Sequence, residues 1–398
     1  METTKDAATR KNESEHTHTE INISQEVPPS NGITNDRKDF VKISDDSKKM
    51  QQNTCKLPKR HLECRESYFT ELMKNDHIRC VYNLFIVAFI FYLAYNIMDD
   101  YFVKGRITLA ANTFREGFIN IHYALGMWLI LQLYACAIYY PVKIWANIRA
   151  KLHKHDFLQS LWSLTWLLAY ITSQGLFVYV PAKVSLEYNI RNASCFGLLF
   201  DTMRLVMKQH AFVRVICGRV VSGKSPTTTC PIQQGNSTRE NNLDDPEIPR
   251  FPKYLYYLFA PTLLYRDNYP RTSQIRWKFA VGHFIECLAF VFLFAFLYEN
   301  HLLPILEDYG KEKITGEILI RTFFKINLTI VLMFLSFVYF LLHSWNNFTG
   351  ELLKFGYRKF HSDWWLSKDY LQFFHKWNNL VGDWLYEYIY RDMYMYGF

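Results

Sequence analysis

The sequence predicts an all-α, multi-span transmembrane helical bundle with a disordered polar N-terminal tail. Several apolar runs reach the roughly 18 residues that mark a span candidate. The Lys and Arg residues behind the net charge of +8 lie between those runs rather than along one soluble face, which sets nucleic acid aside as a partner. Residues 1–56 are rich in Thr, Asn, Ser, Asp, Glu and Lys without a sustained apolar period. They cannot bury enough surface to offset the entropy of ordering.

That tail also lacks the charged start, apolar middle and small-residue cleavage site of a signal peptide, so the first span must direct insertion. The span is Val81 to Ile97. Lys56, Lys59, Arg60, Arg65, Lys74 and Arg79 precede it and Asp99 and Asp100 follow, a bias that places the N-terminus in the cytosol. A second run, Phe118 to Val142, ends at a basic connection with Lys143, Arg149, Lys151 and Lys154, read as a cytosolic loop. The third span, Phe157 to Val180, carries Trp162, Trp166 and Tyr179 as interface aromatics and stops at Pro181.

Ala193 to Ile216 holds Asp201, Arg204, Lys208 and Arg214, so it cannot face lipid unless those charges are satisfied. Crossing inside the bundle fits its flanks, because 219–276 is basic and 299–317 is acid-rich. Trp277 to Tyr298 and Ile318 to Leu342 complete the spans, the latter with Arg321 and Lys325 in its first turns. Residues 355–398 then begin on the cytosolic side.

Three features carry recognisable chemistry and fail on context. Gly218 to Ser225 fits the P-loop expression, but Pro226 follows where a phosphate-binding helix must open, so nucleotide hydrolysis is rejected. Eight cysteines are scattered without a CxxC pair, which indicates neither a zinc site nor a disulfide framework. His283 and Glu286 lie one turn apart inside a span, and with no third ligand at recognisable spacing they read as a hydrogen-bonded pair rather than a metal site. His343 reads as a helix-end residue.

The densest chemistry is in Phe355 to Phe398, where Trp, Tyr, Phe, His, Asn and both charge signs crowd together. Such a mixture suits a membrane-interface site that holds an apolar tail beside a charged headgroup. Within it stand Phe360-His361-Ser362-Asp363-Trp364-Trp365-Leu366 and Trp377-Asn378 with Asp383-Trp384-Leu385-Tyr386. Upstream lies the run Leu258 to Trp277, containing Tyr265-Arg266-Asp267-Asn268-Tyr269-Pro270-Arg271-Thr272.

These segments resemble the sterol O-acyltransferases, the acyl-CoA:cholesterol acyltransferase branch of the membrane-bound O-acyltransferases. That branch carries APTLxYRDxYPRTxxxRW, FYxDWWN and WNxxxxDWLY; here His361, Leu366 and Gly382 stand where the family has Tyr, Asn and His. The resemblance is specific from Arg204 onward. It implies a partial membrane-bound O-acyltransferase domain over residues 57–398, and transfer of a fatty acyl group from acyl-CoA to a sterol hydroxyl in the endoplasmic reticulum membrane. Acyl-CoA would be a co-substrate, with no cofactor and no metal, and membrane lipids, a sterol or other lipid alcohol and a homo-oligomer are the implied partners.

The resemblance assigns Asn378 to the catalytic site, where its amide assists a histidine base. That histidine lies on a later membrane helix, so a chain ending at Phe398 is expected to be truncated, to lack its base and to form no steryl ester alone. Tyr390 resembles a family tyrosine near the coenzyme. By charge, Arg358 and Lys376 are candidates for the coenzyme phosphates, with binding of lipid headgroups as the alternative. Phe360, Asp363, Trp364 and Trp365 form the signature and are expected to shape the cytosolic loop. The alternatives are a diacylglycerol-type acyltransferase, which shares the DWW signature and a triplet like His375-Lys376-Trp377, and a non-catalytic form that binds lipid, acyl-CoA or a subunit.

Overall fold

The structure is a computed structural model that describes residues 62–105, 107, 109–152, 154–222, 248–308, 311 and 315–395. The polar tail read over residues 1–56 lies outside them. The described residues are mostly helical, with irregular segments at 260–276 and 353–363 that carry two isolated β-bridges, Arg65 with Tyr357 and Arg271 with Phe355. Its helices are α1 Tyr68–Leu72, α2 Asp76–Asp99, α3 Ala111–Gly117, α4 Ile121–Ala137, α5 Tyr139–Lys151, α6 Asp156–Glu187, α7 Asn192–Ser222 and α8 Phe251–Phe259. There follow α9 Trp277–Leu297, α10 Leu303–Asp308, α11 Gly316–Tyr339, α12 Asn346–Leu352, α13 Tyr370–Trp377, α14 Asn379–Leu385 and α15 Arg391–Met395. Wide π-turns at 100–104, 298–302, 340–345 and 386–390 continue several of these helices.

Five helical stretches, 76–103, 121–151, 156–187, 277–307 and 316–352, are long and apolar enough to cross a membrane. Their outer faces display residues such as Phe85, Phe91, Leu133, Phe324 and Leu328. Leaving these apolar side chains unpacked is favourable only where the surrounding medium is itself apolar. All the spans expected from the sequence form helices, but two boundaries differ.

The connection after Val142 is helical rather than a loop. Tyr139, Val142, Trp145 and Ala146 recur on one face and are buried, so packing carries the helix through the basic residues to Lys151. Likewise α6 does not stop at Pro181 but runs one and a half turns further, to Glu187. Pro181 is buried, and Ser185 Oγ donates to its carbonyl at 2.8 Å. In an apolar surround, continuing a helix with one amide missing costs less than exposing several backbone groups.

The core that positions the C-terminal region is aromatic. Tyr254, Tyr257 and Tyr265 pack with Phe212 of α7 and with Leu131, Ala135 and Val142 of α4 and α5. Tyr254 and Tyr257 each place a hydroxyl on a backbone carbonyl, Ala135 at 2.6 Å and Leu263 at 2.9 Å respectively. Helix α7 carries the charges that challenged its burial, and each has a partner. Asp201 accepts from Trp128 at 3.0 Å, Gln132 at 2.6 Å and Arg204 at 2.6 Å. Arg214 pairs with Asp392 at 2.7 Å, and Lys208 Nζ donates to three carbonyls. Residues 218–222 are the end of this helix, not the loop a P-loop requires, while Gly223 to Ser225 lie outside the described residues.

Candidate acyl-transfer site

The signature region is built on a close approach of backbone at Gly356. Gly356 lies where the 62–65 segment and Pro270 converge: a Cβ there would meet Cys64 Sγ and the Pro270 carbonyl oxygen at 3.0 Å each. The close approach allows Arg65 N to donate to Gly356 O at 2.9 Å, Arg358 N to Arg65 O at 3.0 Å and Gly356 N to Pro270 O at 2.8 Å. Three sequence-distant segments thus share one backbone junction.

Beneath it lies an ion cluster. Glu351 is fully buried and takes Arg276 by its backbone amide at 2.7 Å and its guanidinium at 2.9 Å, with Arg358 Nη2 at 2.6 Å. Arg276 also reaches Glu66 at 2.8 Å. Its hydrogen bonds to Glu351, then to Glu66, hold the Arg276 guanidinium above its ordinary value. Arg358 is 1% exposed. Instead of presenting itself to a phosphate, it serves as an internal counter-ion for Glu351.

The DWW loop closes on itself. Ser362 N donates to Lys376 O at 2.8 Å, and Asn379 N donates to Phe360 O at 2.9 Å. Lys376 Nζ pairs with Asp363 at 3.3 Å, both partly exposed. Phe360 is buried, Trp364 meets Phe373 and Trp377 edge-on, and Trp365 stacks on Phe69 of α1. Trp377 in turn lies on Phe334 of α11 with rings 10° from parallel. Phe360, Asp363, Trp364 and Trp365 therefore shape the loop and bind it to a span.

Asn378 caps α14: its Oδ1 accepts from Val381 N at 3.3 Å. Its half-buried Nδ2 makes no protein hydrogen bond among the described residues, so both amide hydrogens remain free to donate. Gly382, one turn on, has open space around its Cβ direction, where the family places a histidine. Tyr390 is 55% exposed and stacks with Tyr386 in a ladder continued by Tyr394. Tyr390 is thus exposed and Lys376 part-exposed, while Arg358 is enclosed.

His361 is buried in a box formed by Tyr68, Phe69 and Trp365. Its Nδ1 donates to the Ser362 carbonyl at 3.1 Å, and its Nε2 has no partner. Burial pushes its pKa below the ordinary imidazole value. The unfolded chain therefore binds a proton at a pH where the folded chain does not, so this group withdraws stability as pH falls below about 6.5. We expect the thermal unfolding midpoint in detergent to fall between pH 7 and pH 5, and His361→Phe to flatten that dependence. An unchanged slope in the variant would contradict this assignment.

The Tyr265–Thr272 run links the signature region to α7. Tyr388 Oη accepts from Tyr265 N at 3.0 Å, and burial raises the Tyr388 phenol to about 12. Arg219 pairs with Asp267 at 2.6 Å, Arg266 and Arg391 flank Glu387 at 3.3 and 2.6 Å, and Trp384 donates to Met207 O at 2.9 Å. Residues from 207 to 219, 265 to 269 and 384 to 392 are thus cross-linked into one framework.

The same framework is the part of the chain that matches a family model, the membrane-bound O-acyltransferase family, over residues 203–396. The chain belongs to this family. It is 34% identical to sterol O-acyltransferase 1 of Mus musculus over 331 residues, 83% of this chain and 58% of that protein. Against sterol O-acyltransferase 1 of Rattus norvegicus the identity is 34% over 332 residues, 83% of this chain and 57% of that one. Human sterol O-acyltransferase 2 is 29% identical over 329 residues, covering 82% and 58% respectively. The chain therefore spans a little under three fifths of the relatives it matches. With five apolar helices of spanning length, this family member is a multi-pass membrane protein.

Sequence reading missed two parts of the site. Glu351 and Glu66 drew no attention because nothing local shows that they converge on Arg276 and Arg358. No third ligand-type side chain stands near the His283–Glu286 pair in sequence, because His343 reaches it through tertiary packing.

Proposed function

We propose that this membrane-bound O-acyltransferase transfers a fatty acyl group from acyl-CoA to the hydroxyl of a sterol, forming a steryl ester. The observation that carries the reading is the coincidence of matched segments with a single bonded framework, from Met207–Trp384 through Arg266–Glu387. A sterol hydroxyl is a poor nucleophile until a base removes its proton during attack on the thioester. The thioester carbonyl oxygen then gains negative charge and needs a fixed donor. We assign that donor to Asn378 Nδ2; a carboxamide cannot serve as the base. Lys376 and Tyr390 are our candidates for contacts to the coenzyme portion.

The test offers labelled acyl-CoA, a sterol and a diacylglycerol together to membranes of a host without its own steryl ester synthesis. Where the histidine base that the resemblance places on a later membrane helix is present, the expected result is label in steryl ester above the vector control, depressed in Asn378→Ala. Label in triacylglycerol alone would support the diacylglycerol branch instead. Displaceable labelling by a photoreactive acyl-CoA without any ester would support a binding role, and either result overturns the proposal.

We further place the protein in the endoplasmic reticulum with its N-terminus cytosolic and α7 crossing the bilayer, supported by the basic residues ahead of α2. Sequons at Asn12 and Asn22 should then stay unmodified, and an endoglycosidase-sensitive shift from either would reverse the orientation.

A further inference from the structure

We propose that His283, Glu286 and His343 form a binding site for one divalent metal ion of the zinc class. His283 and Glu286 lie three residues apart on α9 and so share a face. His343 enters from the π-turn at 340–345, its ring 5.0 Å from that of His283 and 85° to it. One donor atom from each of the three residues lies within 4.8 Å of the others. Two imidazoles and a carboxylate are a known zinc ligand set that leaves a fourth position open.

Charge is the second argument. Glu286 sits inside a candidate span, and among the described residues no lysine or arginine pairs with it. Its partners are His283 Nδ1 at 2.8 Å and Ser344 Oγ at 2.9 Å. His283 and His343 are 7% and 3% exposed, so water does little to compensate the carboxylate on that side. The Glu286 side chain is itself 29% exposed, and a carboxylate held in a span without a cation is costly, so a divalent ion supplies charge that the span lacks.

The surroundings set the tautomer that ligation requires. Ser67 Oγ lies 3.3 Å from His343 Nδ1. Asn347 Nδ2, 3.1 Å from the same nitrogen, donates to it in this arrangement, so an ion at Nε2 would require the imidazole to carry its proton on Nδ1 and donate to Ser67 Oγ. Asn347 is fully buried beside this ring; its Nδ2 donates to Ser67 Oγ at 3.0 Å and to the His343 carbonyl at 2.9 Å, while its Oδ1 has no partner. Phe279 and Tyr339 wall the imidazoles with apolar surface. A bound ion would fasten α9 to residues 340–345 and, through Ser67, to the segment that pairs with the signature loop.

The test uses the full chain purified in detergent without metal-affinity chromatography. Elemental analysis is expected to find close to one zinc per chain, and cobalt(II) added to the chelator-stripped protein should give the visible absorption of a tetrahedral site. Glu286→Gln preserves shape and hydrogen bonding; it should elute as wild type yet lose both signals. Ser67→Ala should weaken zinc about 10- to 100-fold. A wild-type chain that carries no metal and takes up no cobalt overturns the proposal, as does a folded Glu286→Gln that keeps its full complement. If the variant does not fold, the wild-type cobalt titration still decides.

Discussion

Glu351→Ala should reduce the unfolding free energy by about 3–5 kcal/mol, the cost of breaking a buried ion pair from one side. The two arginines it serves differ in what they lose. The Arg276 side chain is 41% exposed and keeps Glu66, so water and that second carboxylate absorb much of its loss. Arg358 is 1% exposed, with only Phe355 O left to accept from its Nε at 3.1 Å. Its stranded guanidinium dominates the penalty. The double variant Glu351→Leu with Arg358→Met should recover most of the loss, because it removes the orphaned charge together with its partner. Thermal unfolding in detergent, followed by tryptophan fluorescence, reads both. Because the cluster underlies the Arg65–Gly356 junction, proteolysis within 62–67 should also accelerate in Glu351→Ala. A midpoint unchanged from wild type would show that the cluster is not what holds this junction.

What the sequence made legible follows from the range over which each signal acts. Apolar runs and charge bias are local, so the five apolar helices of spanning length could be located, whereas Ala193 to Ile216 forms a helix that is not among those five. Ends of helices were less legible. Pro181 stops a helix in water but not where lipid makes a broken helix worse, and α5 extends because Tyr139, Val142, Trp145 and Ala146 find a packed face. Function residues judged by charge alone were the least secure: Arg358 suited a phosphate by type, yet the structure places it inside, against Glu351. Nothing in the sequence around Arg358 distinguishes these outcomes, because the distinguishing partner is fixed by the Gly350–Phe355 turn and the N-terminal segment. Asn378 illustrates a mixed case, since its capping oxygen is a local property while the availability of its nitrogen depends on the fold.

Lys208→Met should destabilise the protein by about 2–4 kcal/mol, despite removing a charge that is 2% exposed. Met keeps the volume and apolar stem, so the difference isolates the ammonium. That ammonium sits at the C-terminal end of α8, where unpaired carbonyls and the helix dipole favour a cation. It donates to Tyr257 O at 2.8 Å, Leu258 O at 2.9 Å and Ala260 O at 2.6 Å. The three losses are unequal. Leu258 O retains Arg204 Nη1 at 2.9 Å, and Ala260 O retains Thr262 N at 2.8 Å. Tyr257 O loses its charged donor at a helix end where little else replaces it, which keeps the estimate below three full hydrogen-bond penalties. Lys208→Gln, with two amide hydrogens, should recover part of the loss, whereas Lys208→Arg should not, since a planar guanidinium cannot address three carbonyls from the same enclosed position. Because α8 leads directly into Ala260 and the Tyr265–Thr272 run, the methionine variant should loosen that run as well. Hydrogen exchange at Tyr265 N, now held by Tyr388 Oη, should accelerate with the fall in unfolding midpoint. Unaltered exchange there alongside a lowered midpoint would separate the capping of α8 from the positioning of the acyl-transfer framework.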